Sequence, residues 1–278
     1  MSVPSHVPDH LVVSFDHVAD AAFLADPLGA FDRMGEKGPI LYSDQIGGFW
    51  LFTDPVIVKD AISDLELFSN RQSTIPPYAG PPMVPTQLDP PEHTQYRKLV
   101  IPYFSSKAMA AQSPLMIRHT RRLLDRLEAG QTFDFVTDFA KPLPATVFAS
   151  LCGLPDEMGD TIVRWVHGMS RASTQDSAES VFELRGFLGD LIDKRRNSDS
   201  DDLISVMARS VVDGEPISRQ MAENMAFVLT LGGLDTTTGF LGVTWHYLAR
   251  HPDELAEGPT SYFGGGVFGF NALPLRLG

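Results

Sequence analysis

The chain has 278 residues, 43% of them hydrophobic and 21% charged, which is enough for one large domain with its own core. A formal net charge of −13 argues against nucleic acid or an anionic membrane as the main partner, while leaving room for a local basic patch. A single cysteine gives no disulfide framework and points to a reducing compartment. No basic-then-apolar leader opens the sequence and no run approaches about 18 consecutive apolar residues, so the expectation is a cytoplasmic globular protein without a membrane span.

Residues 1–20 read as irregular and proline-containing, and 21–37 as a short amphipathic helix after Asp20. From Ile40 to Thr53 apolar and polar residues alternate around Gly47-Gly48, which predicts a small hairpin. Asp54-Pro55 then starts a helix that runs to about Asp64, with proline in the first turn. Residues 70–91 hold seven prolines and Gly80. That is a long loop, and long ordered loops in compact domains are often functional. From Glu92 the chain is mostly helical, with helices expected at 92–101, 106–110, 113–128, 138–152, 156–171, 177–196, 200–210 and 218–250. The last would extend about 45 Å. Val211-Val212-Asp213-Gly214 is a turn signal. The fold class is mainly α with a minor β element.

The most informative stretch is Leu231-Gly-Gly-Leu-Asp-Thr-Thr-Thr-Gly239. Its flanks are apolar almost all round, from Met225 to Leu229 before it and from Phe240 to Leu248 after it, which predicts a helix buried on every side. Each glycine inside a helix costs about 1 kcal/mol relative to alanine. Asp235, if buried, needs a partner or a changed pKa. Two readings stand for these residues alone. They build a site, or they are a glycine-softened core helix whose Asp and Thr bond locally to backbone. An unrelated hydrolytic use of Asp235 and Thr236 finds no histidine at a recognisable spacing.

A second constellation is Leu88-Asp-Pro-Pro-Glu-His-Thr-Gln-Tyr-Arg-Lys-Leu99. Asp89 is a candidate N-cap before two prolines suited to a first turn. On the helix that follows, His93 and Arg97 are four apart and share a face, as a pair of donors for a carboxylate or phosphate would. By itself the same spacing also describes a solvated basic face.

Together these segments resemble the bacterial cytochrome P450 monooxygenases. Asp89-Pro-Pro-Glu-His-Thr-x-Tyr-Arg97, with Phe104-Ser105 after it, looks like their haem-propionate helix. Gly232-Gly-Leu-Asp-Thr236 looks like their long distal helix. Trp50-Leu-Phe-Thr-Asp-Pro55, Asp138-Phe-Ala-Lys-Pro-Leu-Pro144, Leu151-Cys-Gly-Leu-Pro155 and His251-Pro-Asp-Glu-Leu-Ala256 follow the family in order, and His6-Val-Pro-Asp-His-Leu-Val12 is similar to its camphor-hydroxylating branch. The resemblance covers residues 6–257. It implies that His93 and Arg97 pair with a haem propionate. It makes Gly232 and Gly233 the place where the helix passes close over the haem, Thr236 a hydrogen-bond partner of bound dioxygen, and Asp235 a proton relay. It implies that the loop 72–87 covers a small apolar, terpenoid-like substrate, with Ile75, Tyr78, Met83 and Val84 as wall residues. It implies haem as cofactor and an external ferredoxin-type electron donor, docking near Arg97 and Lys98.

The pattern departs from the family at the iron ligand. A cysteine thiolate is required there because its electron donation favours O–O cleavage. The one cysteine, Cys152, reads instead as small buried filler at a helix end before Gly153. After Glu257 the Glu-x-x-Arg helix, the remaining sheet and an intact ligand loop are missing. Residues 1–257 therefore form the family-like part and 258–278 an aberrant tail. Phe263-Gly264-Gly-Gly-Val267 resembles the start of the haem-binding ligand loop, and in that register Phe270 stands where the cysteine belongs. Pro274-Leu-Arg-Leu277 echoes the start of the next helix. An internal deletion would write this tail, and so would an unrelated glycine-rich end. The family's complete protein would be a monomer. With those elements absent, apolar surface on the long helix would be exposed and prone to association.

Overall fold

The computed structural model describes residues 3–78, 80–128, 132–171, 174–251 and 274–276. Two compact units emerge, one from residues up to 81 with 86–93, the other from 82–85 with residue 94 onward.

The first unit is built on a three-stranded sheet of order β1 (Val12–Val13), β2 (Ile40–Ser43), β3 (Phe49–Phe52). β1 runs parallel to β2, and β2 pairs antiparallel with β3, Ile40 opposite Phe52 and Ser43 opposite Phe49. The hairpin lies where the alternation predicts it. Its connection puts Ile46, Gly47 and Gly48 at positive φ (51°, 87° and 86°), and a Cβ on Gly48 would run into the Tyr42 hydroxyl. β1 lies in the stretch expected to be irregular, because two residues are too short for a period to show. Val13, Phe15, Phe23, Met34 and Leu41 form the core of this unit.

The single helix expected over 21–37 is two helices, α1 (Ala21–Ala25) and α2 (Pro27–Lys37). Pro27 drives the preceding residue out of the helical region, and Asp26 adopts φ −146°, ψ 72° and caps the Gly29 amide. Asp54 caps α3 (Pro55–Ser63) through the Val56 and Ile57 amides, as the sequence suggests. Asp89 does not cap α4 (Glu92–Val100) with its side chain. Its carboxylate accepts from the Ser69 hydroxyl and the Asn70 amide, each at 2.7 Å, and pairs with Arg71 at 3.3 Å. These bonds, Ser69 first, hold its pKa below the usual carboxylate range. Only its carbonyl serves the helix, accepting from the His93 amide.

The second unit is helical. The two helices expected around residue 111 are one, α5 (Ser106–Leu124), which carries Pro114 inside it and packs on α6. β4 (Thr132–Asp134) leads through a π-helical turn (Val136–Ala140) into α6 (Pro142–Leu151), so the helix expected from 138 starts in a wider coil. α7 (Met158–Arg171), α8 (Thr174–Arg196) and α9 (Leu203–Arg209) follow. β5 (Val211–Val212) and β6 (Glu215–Pro216) form a hairpin at the expected turn, with Asp213 and Gly214 at positive φ. α10 (Arg219–Arg250) crosses the unit, packed against α6, α7, α8 and α9. β7 (Pro274–Arg276) pairs antiparallel with β4, Thr132 opposite Arg276 and Asp134 opposite Pro274. Pro274-Leu-Arg276 is thus a strand and not a helix start. Backbone pairing with β4 decides it, and such pairing asks little of the side-chain sequence.

α10 is most deeply buried over its first half. Ala222, Met225, Ala226 and Phe227 are sealed in, and Arg185 of α8 reaches Glu223 at 3.1 Å and Asn224 at 3.0 Å with its guanidinium over the Phe227 ring. Past Gly239 the helix opens. Phe240 is 56% exposed, and Val243, Trp245 and Tyr247 are also on the surface. The expectation of a helix buried on every side fails there: Leu241 and Trp245 pack toward Phe135 on one side while Phe240, Val243 and Tyr247 lie exposed on another. By length and composition alone α10 could cross a membrane. The sealed first half, with its buried Glu223–Arg185 pair, is the arrangement of a core helix in a soluble fold.

Candidate distal face of a cofactor site

The rotation of α10 is set by residues the sequence reading did not single out. Leu234 and Thr238 are buried, Leu241 packs on the cluster of Leu123, Phe135, Val136, Phe139 and Ala140, and the Thr238 hydroxyl donates to the Ala140 carbonyl at 3.1 Å. Thr238 could have been suspected as one of three successive threonines in an apolar run, but nothing in the sequence says which of them turns inward. With these side chains inward, Gly232, Gly233 and Thr236 face outward and are exposed.

Asp235 is half-buried rather than sealed. Thr236 donates its hydroxyl proton to the Gly232 carbonyl at 2.6 Å. That back-bond one turn up the helix leaves the lone pairs of Oγ1 toward the open side. A Cβ on Gly232 would meet nothing within 4 Å, and one on Gly233 only Phe148 Cδ2, at 3.9 Å. Packing within these residues therefore does not require glycine. The chain forgoes about 2 kcal/mol of helix propensity over the pair and obtains a smooth strip of backbone beside a carboxylate and a hydroxyl.

His93 and Arg97 both lie on α4, the first half-buried and the second exposed. Among the described residues neither side chain has a hydrogen-bond or ion-pair partner. Lys98 is exposed beside them, and Gln95 ties the helix to the β5–β6 turn through Asp213 at 2.8 Å. Ile75 and Tyr78 belong to the first unit, exposed and half-buried. Met83 and Val84 belong to the second, half-buried and fully buried. Phe263, Gly264 and Phe270 lie outside the described residues. The four α10 residues are therefore brought to one short segment and the two α4 residues to another.

Cys152 sits where the sequence places it. It caps α6 ahead of Gly153, whose φ is +62°, with Leu154 N–H bonded to Ala149 O and Gly153 N–H to Ser150 O. Only 1% of it is exposed, and burial pushes its thiol well above the usual range. Nearby, buried His119 shares a 3.1 Å hydrogen bond with Ser150 Oγ, and burial pushes its imidazole below the usual histidine range. A surface cleft of about 610 Å³ is lined by Tyr103, Ser150, Arg195 and Asp201 among others, and touches none of residues 232–236.

No protein-family model matches the chain. Curated relatives do. It is 31% identical over 256 residues to cytochrome P450 107B1 of Saccharopolyspora erythraea, covering 85% of this chain and 62% of that one. It is 30% identical over 255 residues to 6-deoxyerythronolide B hydroxylase of the same organism, covering 84% and 63%. Among solved structures, the crystal structure of cytochrome P450 CYP101C1 superposes with a TM-score of 0.79 at 26% identity, over 92% of this chain and 65% of that one. A mutant of P450 EryK in complex with erythromycin B superposes with a TM-score of 0.75 at 29% identity, over 85% and 62%.

The chain is a relative of the bacterial cytochrome P450s and carries their fold in part. It spans about three fifths of the length of the curated relatives it matches, 62% and 63% for the two above.

These relatives imply a haem and an external electron donor. The residues present fit that group on one side only. The bare glycine strip on α10 is compatible with it. The one cysteine is sealed at a helix end, where burial favours the neutral thiol over the thiolate that an iron ligand would need. As a complete haem-thiolate site the residues do not fit.

Proposed function

We propose that this chain carries the distal half of a haem monooxygenase. The family reaction inserts one oxygen atom of O₂ into a small apolar, terpenoid-like substrate, with electrons from a ferredoxin-type donor. The proposal assigns Gly232 and Gly233 to the close approach, Asp235 and Thr236 to proton and hydrogen-bond duties, and His93 and Arg97 to a propionate. Ile75, Tyr78, Met83 and Val84 are assigned to the substrate side, and residues 258–278, with Phe263 and Gly264, to a ligand-loop remnant. The hydroxylase names among the relatives support the reaction class. The observation that carries the reading is the pair of helix-interior glycines with open space above them, next to Asp235 and Thr236.

The proposal also holds that these 278 residues do not catalyse the reaction, for want of a thiolate. Its setting is the cytoplasm. Completed, the protein is a monomer, and as it stands it associates through the apolar end of α10. A second reading, a non-catalytic binder of small hydrophobic ligands, is favoured by the exposure of Phe240 beside the glycine strip. Incubating the purified chain with haem, a surrogate ferredoxin and its reductase, and a panel of terpenoids tests the first reading. The expected result is no product above a free-haem control. Product formed in proportion to the chain contradicts it.

A further inference from the structure

The cleft of about 610 Å³ in the second unit lies apart from the α10 site and has no part in the proposed reaction. Five stretches of chain meet around it: the turn Ile101–Phe104 that joins α4 to α5, α5 itself, the C-terminal end of α6, the last turn of α8 and the start of α9. Phe104, Ala108, Ala111, Leu151 and Leu203 give it apolar walls. A volume of this order, apolar walls and a few convergent polar groups describe a site for one small molecule.

The polar groups differ in what they have left to offer. Among the described residues that line the cleft, Arg195 is the one cation. Its guanidinium pairs with Asp202 at 2.7 Å through Nε and donates through Nη2 to the Gly153 carbonyl at 3.3 Å and the Cys152 carbonyl at 3.5 Å. Asp202 is committed in turn, since its carboxylate also accepts from the Ser205 amide and hydroxyl, each at 3.0 Å. The Ser150 hydroxyl is tied to buried His119, whose imidazole burial holds below the usual histidine range. Asp201 is different: it is exposed, and among the described residues its side chain has no hydrogen-bond or ion-pair partner. Burial first, then Asp201 and Asp202, push the Tyr103 phenol above its usual range. Arg209 acts on that phenol in the opposite sense, but its guanidinium is held by the carbonyls of Ser198 and Ser200.

We infer that this cleft binds a small organic cation, a protonated amine joined to an apolar body. The ammonium group pairs with Asp201 and lies against the Tyr103 and Phe104 rings, and the body fills the space beside Ala108, Ala111 and Leu151. An anion finds only a guanidinium already neutralised by Asp202, and it meets Asp201 as a like charge. The net charge of −13 works in the same direction by concentrating cations at the surface. No residue of the cleft belongs to α4 or α10, so the inference stands apart from the distal-half reading.

The test titrates phenethylamine into the full chain by calorimetry, beside its neutral isostere 2-phenylethanol and the anion phenylacetate. The expected result is saturable one-to-one binding of the amine, weaker binding of the alcohol and none of the carboxylate. Asp201→Asn weakens the amine by at least about fivefold, a charge-assisted bond discounted for exposure, and leaves the alcohol unchanged. Asp190→Asn, at an exposed position of α8 outside the cleft, changes neither. Ala111→Trp, at an exposed position on the wall, fills the space and removes both. Circular dichroism confirms that each variant folds. The inference is overturned by no saturable binding of the amine, by equal binding of amine and alcohol, by equal losses in Asp201→Asn and Asp190→Asn, or by full binding to Ala111→Trp.

Discussion

Replacing Gly232 by alanine should make the chain more stable. A methyl group there meets no atom within 4 Å, so it creates no clash and gains no burial. What remains is the backbone term: glycine in a helix interior is about 0.8–1.0 kcal/mol worse than alanine, mainly because the unfolded chain has more freedom to lose. The same holds at Gly233, where the nearest atom is Phe148 Cδ2 at 3.9 Å, an ordinary contact. The double variant should gain about 2 kcal/mol, and for a chain of this size each kcal/mol raises Tm by about 2–4 °C. Urea unfolding followed by circular dichroism should show a higher midpoint with an unchanged slope. Gly48→Ala is the contrasting control. Its φ of +86° and the Tyr42 hydroxyl in its path should make it lose more than about 1 kcal/mol. If Gly232→Ala destabilises the chain, something in these residues packs against the strip, and the argument that the glycines serve a group the chain does not contain fails.

Three further outcomes follow from the second unit. The pKa of His119 is depressed by burial, so its neutral form belongs to the folded state; its stabilising effect is complete above the unfolded value of about 6.5 and is lost as pH falls through the lower folded value. Each unit of that depression corresponds to about 1.4 kcal/mol, and His119→Gln should flatten stability over that pH range if the assignment is right. Cys152, sealed and neutral, should react with an aromatic disulfide reagent only at the rate of global unfolding, and fast stoichiometric labelling of the native chain would contradict its placement. Arg185→Met should cost about 3 kcal/mol in urea unfolding, because it strands buried Glu223, with Arg219 at 3.3 Å as its remaining partner. A loss below 1 kcal/mol would show that this pair does not tie α8 to α10.

Local signals in the sequence locate most of the helices. Aspartate caps before proline mark α3, the apolar run marks α10 to within a residue, and Gly47-Gly48 marks the hairpin. Where the reading failed, the deciding contact came from elsewhere in the chain. Asp89 looks like a cap and is claimed by Ser69 and Asn70, about 20 positions upstream. The break expected at 111–112 is absent, and α5 runs on through Pro114, packed on α6. Pro274-Leu-Arg276 looks like a helix start and pairs with β4. At the candidate site the residue types were legible because glycine, carboxylate and hydroxyl are out of place in an apolar helix. Their orientation was not. A helix apolar all round has no period from which to read its buried face, and contacts from Ala140 and its cluster fix that face.

The central claim is that the distal side of a haem pocket is present in these residues and the thiolate is not. The carbon-monoxide difference spectrum of the reduced, haem-treated 278-residue chain tests it most directly. The account predicts no thiolate-type Soret band, either with haem lost on gel filtration or with a band of the kind given by a neutral ligand. A thiolate-type band that survives in a Cys152→Ala variant would reveal a ligand the account has missed. One that disappears in that variant would show that Cys152 leaves its helix end to bind iron. Either result would contradict the claim.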